Sequence, residues 1–406
     1  MLRAWPRIDD DCDRALLIVL TVIAFLLFPL PVPLTALLSP HRETLESALS
    51  LASVEPTPLR PLSIDTWSTT WAWMVVAGGM LVFWIARARL THGGLRRTAR
   101  MIAGLGLAVS LLGIMQAATA GRYVYWRFAA EFQGANPFGP FFNRNHFATW
   151  IIMALPLCLG YMAARTTGRT VEQPDHVAMR TRVAQAIDPR TAWLMTAAII
   201  MLVALLLSLS RSGMLALGVS GALTMLLSGR ALGKQQRRGL LITAGIIALV
   251  GLAWADIPAL RGRIAGTATG LADRFTIWHD TIPIVRDFWL TGTGPGTYQE
   301  TMFVYQRADR TVFFNQAHNH YLQVAAEGGL LLIAAVSFAL VTLIRVGRDR
   351  IAHDTSGMVW IRIGAACGLF AVALQSVWET GLVMPANAAL AGVLAAIVVH
   401  RKHEKA

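Results

Sequence analysis

Charge is scarce in this chain, and so is cysteine. Charged residues make up 15% of the 406, against 55% hydrophobic. Soluble domains carry nearer a quarter of their residues as charge, so this composition excludes an ordinary soluble fold and points to a polytopic membrane protein. The three cysteines are scattered, Cys12 in a charged N-terminal tail and Cys158 and Cys367 in apolar runs. That spacing excludes a disulfide framework and a cysteine metal site. Acids are few as well, 23 against 36 Lys and Arg, for a net charge of +13. The basic excess does not gather into one patch. It forms short clusters beside apolar segments, the pattern of topology determinants, so no nucleic-acid partner is expected. No internal repeat is visible. No cleavable signal is expected either, because the first apolar run follows Arg14, is long enough to span and lacks a small-x-small exit site.

What the chain does have is a series of long apolar runs. They predict an all-α polytopic membrane protein of about ten transmembrane helices. The spans fall at 15–36, 68–86, 101–118, 147–164, 192–209, 213–228, 239–255, 327–345, 358–377 and 384–400. Together they form a single integral membrane domain over 1–406. The tails and alternate connections (87–100, 165–190, 229–238 and 345–362) hold 24 of the 36 Lys and Arg residues. Lys and Arg accumulate in cytoplasmic loops, so both termini are predicted cytoplasmic. The longest outer segment is a loop over 256–326, between spans 7 and 8, expected to carry short helices.

Arg211 is the only formal charge in the run from Ala192 to Ser228. The run is too long for one span and fits two short ones, with Ser210-Arg211-Ser212-Gly213 at the tip of a hairpin. Loop parity tests this. A single long helix would put Arg230, Lys234, Arg237 and Arg238 outside and destroy the charge alternation. Two helices put Arg211 outside. One reading of Arg211 is a snorkelling or orienting residue at a helix end. The other is an anion site, since a guanidinium keeps its charge when half buried and forks onto phosphate oxygens, and the start of the next helix adds donors. Arg122 and Arg144 lie in the outer segment 119–146 and can join it, which suits a phosphorylated lipid head group.

Three readings apply to His318-Asn319-His320: a polar loop entering the next span, a zinc site, and a general base. Zinc would need further ligands at close spacing. An imidazole titrates near neutral pH and can take a proton from an attacking hydroxyl. Asn319 is placed to orient the ring or hold substrate. His146 and His279 are poorer bases. Gly292-x-Gly294-x-Gly296 lacks the spacing and strand–helix context of a nucleotide fingerprint, and reads as a tight turn that fixes the long loop. The aromatics of 119–146 read as an interfacial belt or a sugar-stacking surface.

Four motifs, in this order, resemble the O-antigen ligase and O-antigen polymerase superfamily, bacterial inner-membrane glycosyltransferases of the GT-C type. They are Phe142-Asn143-Arg144-Asn145-His146-Phe147-Ala148, Ser210-Arg211-Ser212-Gly213, Leu290-Thr291-Gly292-Thr293-Gly294-Pro295-Gly296, and Ala317-His318-Asn319-His320-Tyr321-Leu322 followed by Glu327-Gly328-Gly329-Leu330. The resemblance runs from about residue 100 to the C-terminus. It implies an undecaprenyl-diphosphate-linked glycan donor presented at the periplasmic face of the bilayer. It implies transfer to a sugar hydroxyl on a glycan or lipid A core acceptor, with inversion and without nucleotide sugar, metal or other cofactor. Residue by residue, Arg211 matches the family's helix-tip arginine that binds the donor diphosphate, and His318 matches its proposed base. Candidate substrate-binding residues are Arg122, Arg144, Asn145, His146, Asn319 and His320, with His320 also the second candidate for the base. Polymerase and ligase share this chemistry and differ in the acceptor.

A transporter or flippase for lipid-linked glycans is the alternative from another class. It would call for charged residues midway along spans. Here the spans are nearly free of acids and bases, which favours a one-sided surface enzyme.

Overall fold

A computed structural model of the protein describes residues 10–49, 58–91, 93–120, 123–130, 136–170, 188–227, 274–308 and 310–401. The protein is helical and has the character of an all-α membrane protein. Among the described residues, five helices are long and apolar enough to cross a bilayer: Thr66–Leu90, Leu95–Thr119, Arg144–Thr166, Pro189–Leu207 and His320–His353. Val359–Gln375 and Pro385–Val399 are shorter apolar helices. The expected span at 239–255, residues 256–273 of the long loop, and Arg122 lie outside the described residues.

By its contacts the chain divides into two compact units. The first comprises Met1–Leu81, Ile257–Val346 and Ser376–Thr380; the second comprises Val82–Asp256, Gly347–Gln375 and Gly381–Ala406.

In the first unit, helix α1 (Asp11–Leu27) is started by Asp10, whose carboxylate accepts from the Cys12 N–H at 2.7 Å, and by two further acids at the positive end of the helix dipole. The expected span at 15–36 is not one helix. It stops at Leu27 because Pro29, Pro31 and Pro33 follow, and proline removes the N–H that a continuing helix needs. The chain turns there, Leu30–Pro31 pairing with Leu59–Arg60, and resumes as α2 (Val32–Leu38) and α3 (Arg42–Ala48). The long loop carries a helix over 274–287 and another at Tyr298–Tyr305. Ile277, Ile284, Phe288, Tyr298 and Met302 pack with Leu45 into one apolar cluster.

The helix His320–His353 begins earlier than the expected 327 and is broken at Gly329, where φ is 56° and ψ is −160°. A break in an apolar helix frees backbone groups that must find partners. The glycine turn supplies them. Leu330 N–H donates to Trp289 O at 2.7 Å and Leu331 N–H to Leu290 O at 3.1 Å. In return Thr293 N–H donates to Ala326 O at 3.1 Å and Gly294 N–H to Glu327 O at 2.8 Å. The Glu327 carboxylate takes Tyr298 N–H at 3.1 Å and the Gln323 amide at 3.3 Å. Residues 289–298 thus plug the gap in the helix.

In the second unit, the helix Arg144–Thr170 is central: 83% of its most apolar stretch is buried. Gly160 and Gly364 let it approach Val359–Gln375 closely, since a side chain at Gly364 would run into Pro156 O and one at Gly160 into Trp360 O. The run 192–228 is split as expected, into Pro189–Leu207 and Arg211–Leu227, both packed on the central helix. Leu209 at φ 55° makes the break, and Ser208 Oγ returns to Leu205 O at 2.6 Å. Away from that tip, Arg362 ties Asp354 (2.8 Å) to the last carbonyls of Pro385–Val399, Ile397 O at 3.1 Å and Val398 O at 2.9 Å.

Candidate functional site

Two groups of candidate residues form, one in each unit. In the first unit, Asn319 caps the helix that follows it. Its Oδ1 accepts from Leu322 N–H at 3.0 Å and its carbonyl from Gln323 N–H at 2.9 Å, so the helix starts at His320. The loop ahead of it is held from behind. Trp278 Nε1 donates to Ala317 O at 2.9 Å, and Ala317 N–H donates to Gln323 Oε1 at 3.2 Å. Between these anchors His318 takes φ 49°, a conformation uncommon outside glycine. Its side chain is 32% exposed, and its Nδ1 is buried without a hydrogen-bond partner among the described residues, 3.7 Å from Glu379 Oε2. The other oxygen of that carboxylate, Oε1, is ion-paired with Arg274. His320 sits differently. Its backbone N–H donates to Ser376 O at 2.8 Å, and its Nδ1 is buried without a hydrogen-bond partner among the described residues.

Behind this group Tyr298 is buried, its hydroxyl 2.7 Å from Thr281 Oγ1, and burial pushes its phenol well up, so it stays neutral. Tyr305 is pushed up by burial and by its hydrogen bond to Asp287. Among the described residues no group of three or more His, Cys, Asp and Glu is placed to hold a metal.

In the second unit the candidates gather at helix starts. Asn143 caps Arg144–Thr170, its Oδ1 accepting from Asn145 N–H at 2.8 Å, which puts Arg144, Asn145 and His146 in the first turn. Arg144 and Asn145 are half-buried and His146 is buried. Arg211 is the exposed first residue of Arg211–Leu227, and Ser210 O accepts from Met214 N–H at 3.0 Å. Gln375, buried at the end of Val359–Gln375, joins the two starts. Its Nε2 lies 3.4 Å from both Asn145 O and Ser212 Oγ, and its Oε1 accepts from Thr149 Oγ1 at 2.7 Å. Asn387 adds a bond from Nδ2 to His146 O at 3.1 Å. So the structure brings Arg144, Asn145, His146 and Arg211 to one end of this unit. A short ribbon, Tyr123–Val124 with Phe128–Ala129, exposes Tyr125, Trp126 and Phe128 nearby in sequence.

The sequence reading left Gln375, Arg274 and Glu379 without a role. For Glu379 a signal was present: an acid closing a long apolar run is costly there and marks a site more often than not. Gln375 and Arg274 gave none.

Residues 196–337 match the family model described as O-antigen ligase. The matched stretch holds Arg211, the glycine turn and His318. No curated protein matches the chain.

Proposed function

We propose that this chain, whose residues 196–337 match the O-antigen ligase family model, is a glycosyltransferase of the bacterial inner membrane, acting at the periplasmic face. It transfers glycan from an undecaprenyl-diphosphate-linked donor to a sugar hydroxyl on an acceptor glycan or lipid A core. The charge bias of the loops supports that face, with both termini cytoplasmic and the Arg211 tip outside.

The observation that carries the reading is the cationic end of the second unit. Two helix starts meet there through Gln375, one led by Arg144 and one by Arg211. At the Arg144 start the first-turn N–H groups already have partners, Arg144 N–H on Asn136 O, Asn145 N–H on Asn143 Oδ1 and His146 N–H on Asn143 O, so what such a helix start offers an anion is its dipole, which favours negative charge at that end. With two guanidinium groups added, the arrangement suits a diphosphate, and most of all one gaining charge as its bond to the sugar breaks. In the first unit His318 is the better base of the two histidines, being half-exposed with a carboxylate facing its buried nitrogen. His318 takes the proton of the acceptor hydroxyl, the oxygen attacks the anomeric carbon from the face opposite the diphosphate, and the diphosphate leaves with the bonding pair. Inversion follows from the single displacement. The leaving group is good enough that no general acid is needed.

The test is transfer by purified protein in detergent. Activity without a sealed compartment separates an enzyme from a flippase. His318→Ala and Arg211→Ala are expected to lose at least about a hundredfold in rate, the scale of a lost base or a lost charge-stabilising donor. Arg211→Lys, which keeps charge but not the fork, falls between. Full activity in either alanine variant refutes the assignment. Glycan length in a deletion strain then separates polymerase from ligase: chains stopping at one repeat mean polymerase, and long lipid-linked chains that never reach an acceptor mean ligase.

A further inference from the structure

The five-residue segment Ser376–Thr380 belongs to the first unit although the residues on either side of it belong to the second. Two bonds hold it against the loop that carries His318, and they bracket that histidine. Ser376 O accepts from His320 N–H at 2.8 Å, and Thr380 Oγ1 donates to Gln316 Oε1. Between these two stitches Glu379 faces His318 Nδ1 at 3.7 Å. The carboxylate is 1% exposed and its other oxygen is ion-paired with Arg274. A buried carboxylate is tolerated where it is paired, and here the pairing is divided, one oxygen for Arg274 and the other toward the imidazole.

We infer that Glu379 is the positioning residue for His318, and that Arg274, paired with its other oxygen, holds Glu379 correctly turned. This rests on reading His318 as the base. The 3.7 Å separation is longer than a hydrogen bond; drawn in to hydrogen-bond length when substrate binds, the carboxylate selects the tautomer that carries its proton on Nδ1, which leaves the Nε2 lone pair for the acceptor hydroxyl. When Nε2 takes that proton, the new imidazolium lies beside a fixed negative charge. The proton then passes to solvent after the glycoside has formed and the diphosphate has left. The φ of 49° at His318 fits this account: a strained backbone persists where its surroundings over-determine it, and here the stitches at Gln316 and His320 lie two residues to either side.

The experiment uses the full chain in detergent, with lipid-linked glycan extracted from producing cells as donor. Glu379→Gln is expected to lower kcat by about a hundred- to ten-thousand-fold and to leave the donor KM within about twofold. Glu379→Asp recovers part of the loss. Nitrogen NMR of histidine-labelled protein gives a readout independent of turnover: His318 carries its proton on Nδ1 in the wild type and becomes a tautomer mixture in Glu379→Gln. A merely structural Glu379 would change the yield of folded protein and leave both kcat per folded molecule and the tautomer alone, which overturns the proposal. So does a loss confined to KM. If Glu379→Gln does not fold, Glu379→Asp decides, because wild-type kcat with the carboxylate drawn back by one methylene is incompatible with a positioning role. Should His318→Ala keep normal transfer while the tautomer still responds to Glu379, the base assignment fails and the pairing stands.

Discussion

Replacing Gly329 with alanine tests the account of the broken helix at its tightest point. At φ 56° and ψ −160° the residue occupies a region that side-chain-bearing residues essentially never adopt. A Cβ there would lie 2.5 Å from Leu290 C and 2.6 Å from Leu290 O and Gly292 N. These are backbone atoms of the plugging turn, so no side chain can swing aside. Strain of this kind costs about 1–3 kcal/mol. Overpacking a filled site costs about 1–3 kcal/mol more. If the turn gives way instead, up to four backbone hydrogen bonds across the break weaken, at about 1 kcal/mol each. The variant is therefore expected to lose about 2–6 kcal/mol, which at about 2 °C per kcal/mol lowers the unfolding temperature by about 4–12 °C. The assay is thermal unfolding of purified protein in detergent, followed by tryptophan fluorescence. Gly221→Ala is the control. Nothing lies within 4 Å of a Cβ at that helical position, so alanine there is neutral or gains up to about 1 kcal/mol. If Gly329→Ala unfolds within about 2 °C of the wild type, the turn is not held by that glycine and the hydrogen-bond exchange described above is not what closes the gap.

Asp354 sits outside the spanning segments. Burial pushes its carboxyl up, but hydrogen bonds from Ser356 and Arg362 outweigh this and hold it below the usual aspartate value. A depressed carboxylate stabilises fully above its unfolded value, near 4, and the gain is lost as pH falls through the native value. Asp354→Asn is expected to cost about 2 kcal/mol at neutral pH and to flatten the fall in unfolding temperature between about pH 5 and 3, which parallel melts of the two proteins measure. Gln375→Leu strips the bonds to Thr149, Asn145 and Ser212 and is expected to cost about 1–3 kcal/mol. It should raise the donor KM more than it lowers kcat, and steady-state kinetics that move kcat alone would separate Gln375 from donor binding.

The parts of this molecule that could be read from the sequence are those whose partners lie within a turn or two along the chain. Asn143 and Asn319 cap helices through bonds two or three residues away, so their motifs mark helix starts wherever they occur. Arg211 announced a helix break because one charge inside an apolar run has few tolerable positions, and the end of a helix is one of them. The prolines at 29, 31 and 33 were equally legible. Hydropathy carried the expected span through them to 36, where chain geometry stops the helix at Leu27. The break at Gly329 belongs to a second kind. Gly328-Gly329 permits it, but the carbonyls that make it stable come from Trp289 and Leu290, in another element. Glu379 is the extreme case: its ion-pair partner Arg274 stands 105 residues away in the chain, and its place depends on a five-residue segment set apart from both neighbours. No periodicity encodes such a pairing. What the sequence does encode is its expense, an acid at the end of an apolar run with no cation beside it. An unpaired local charge of this sort is thus a pointer to a distant partner, and Arg274, in the helix over 274–287, is where that pointer leads.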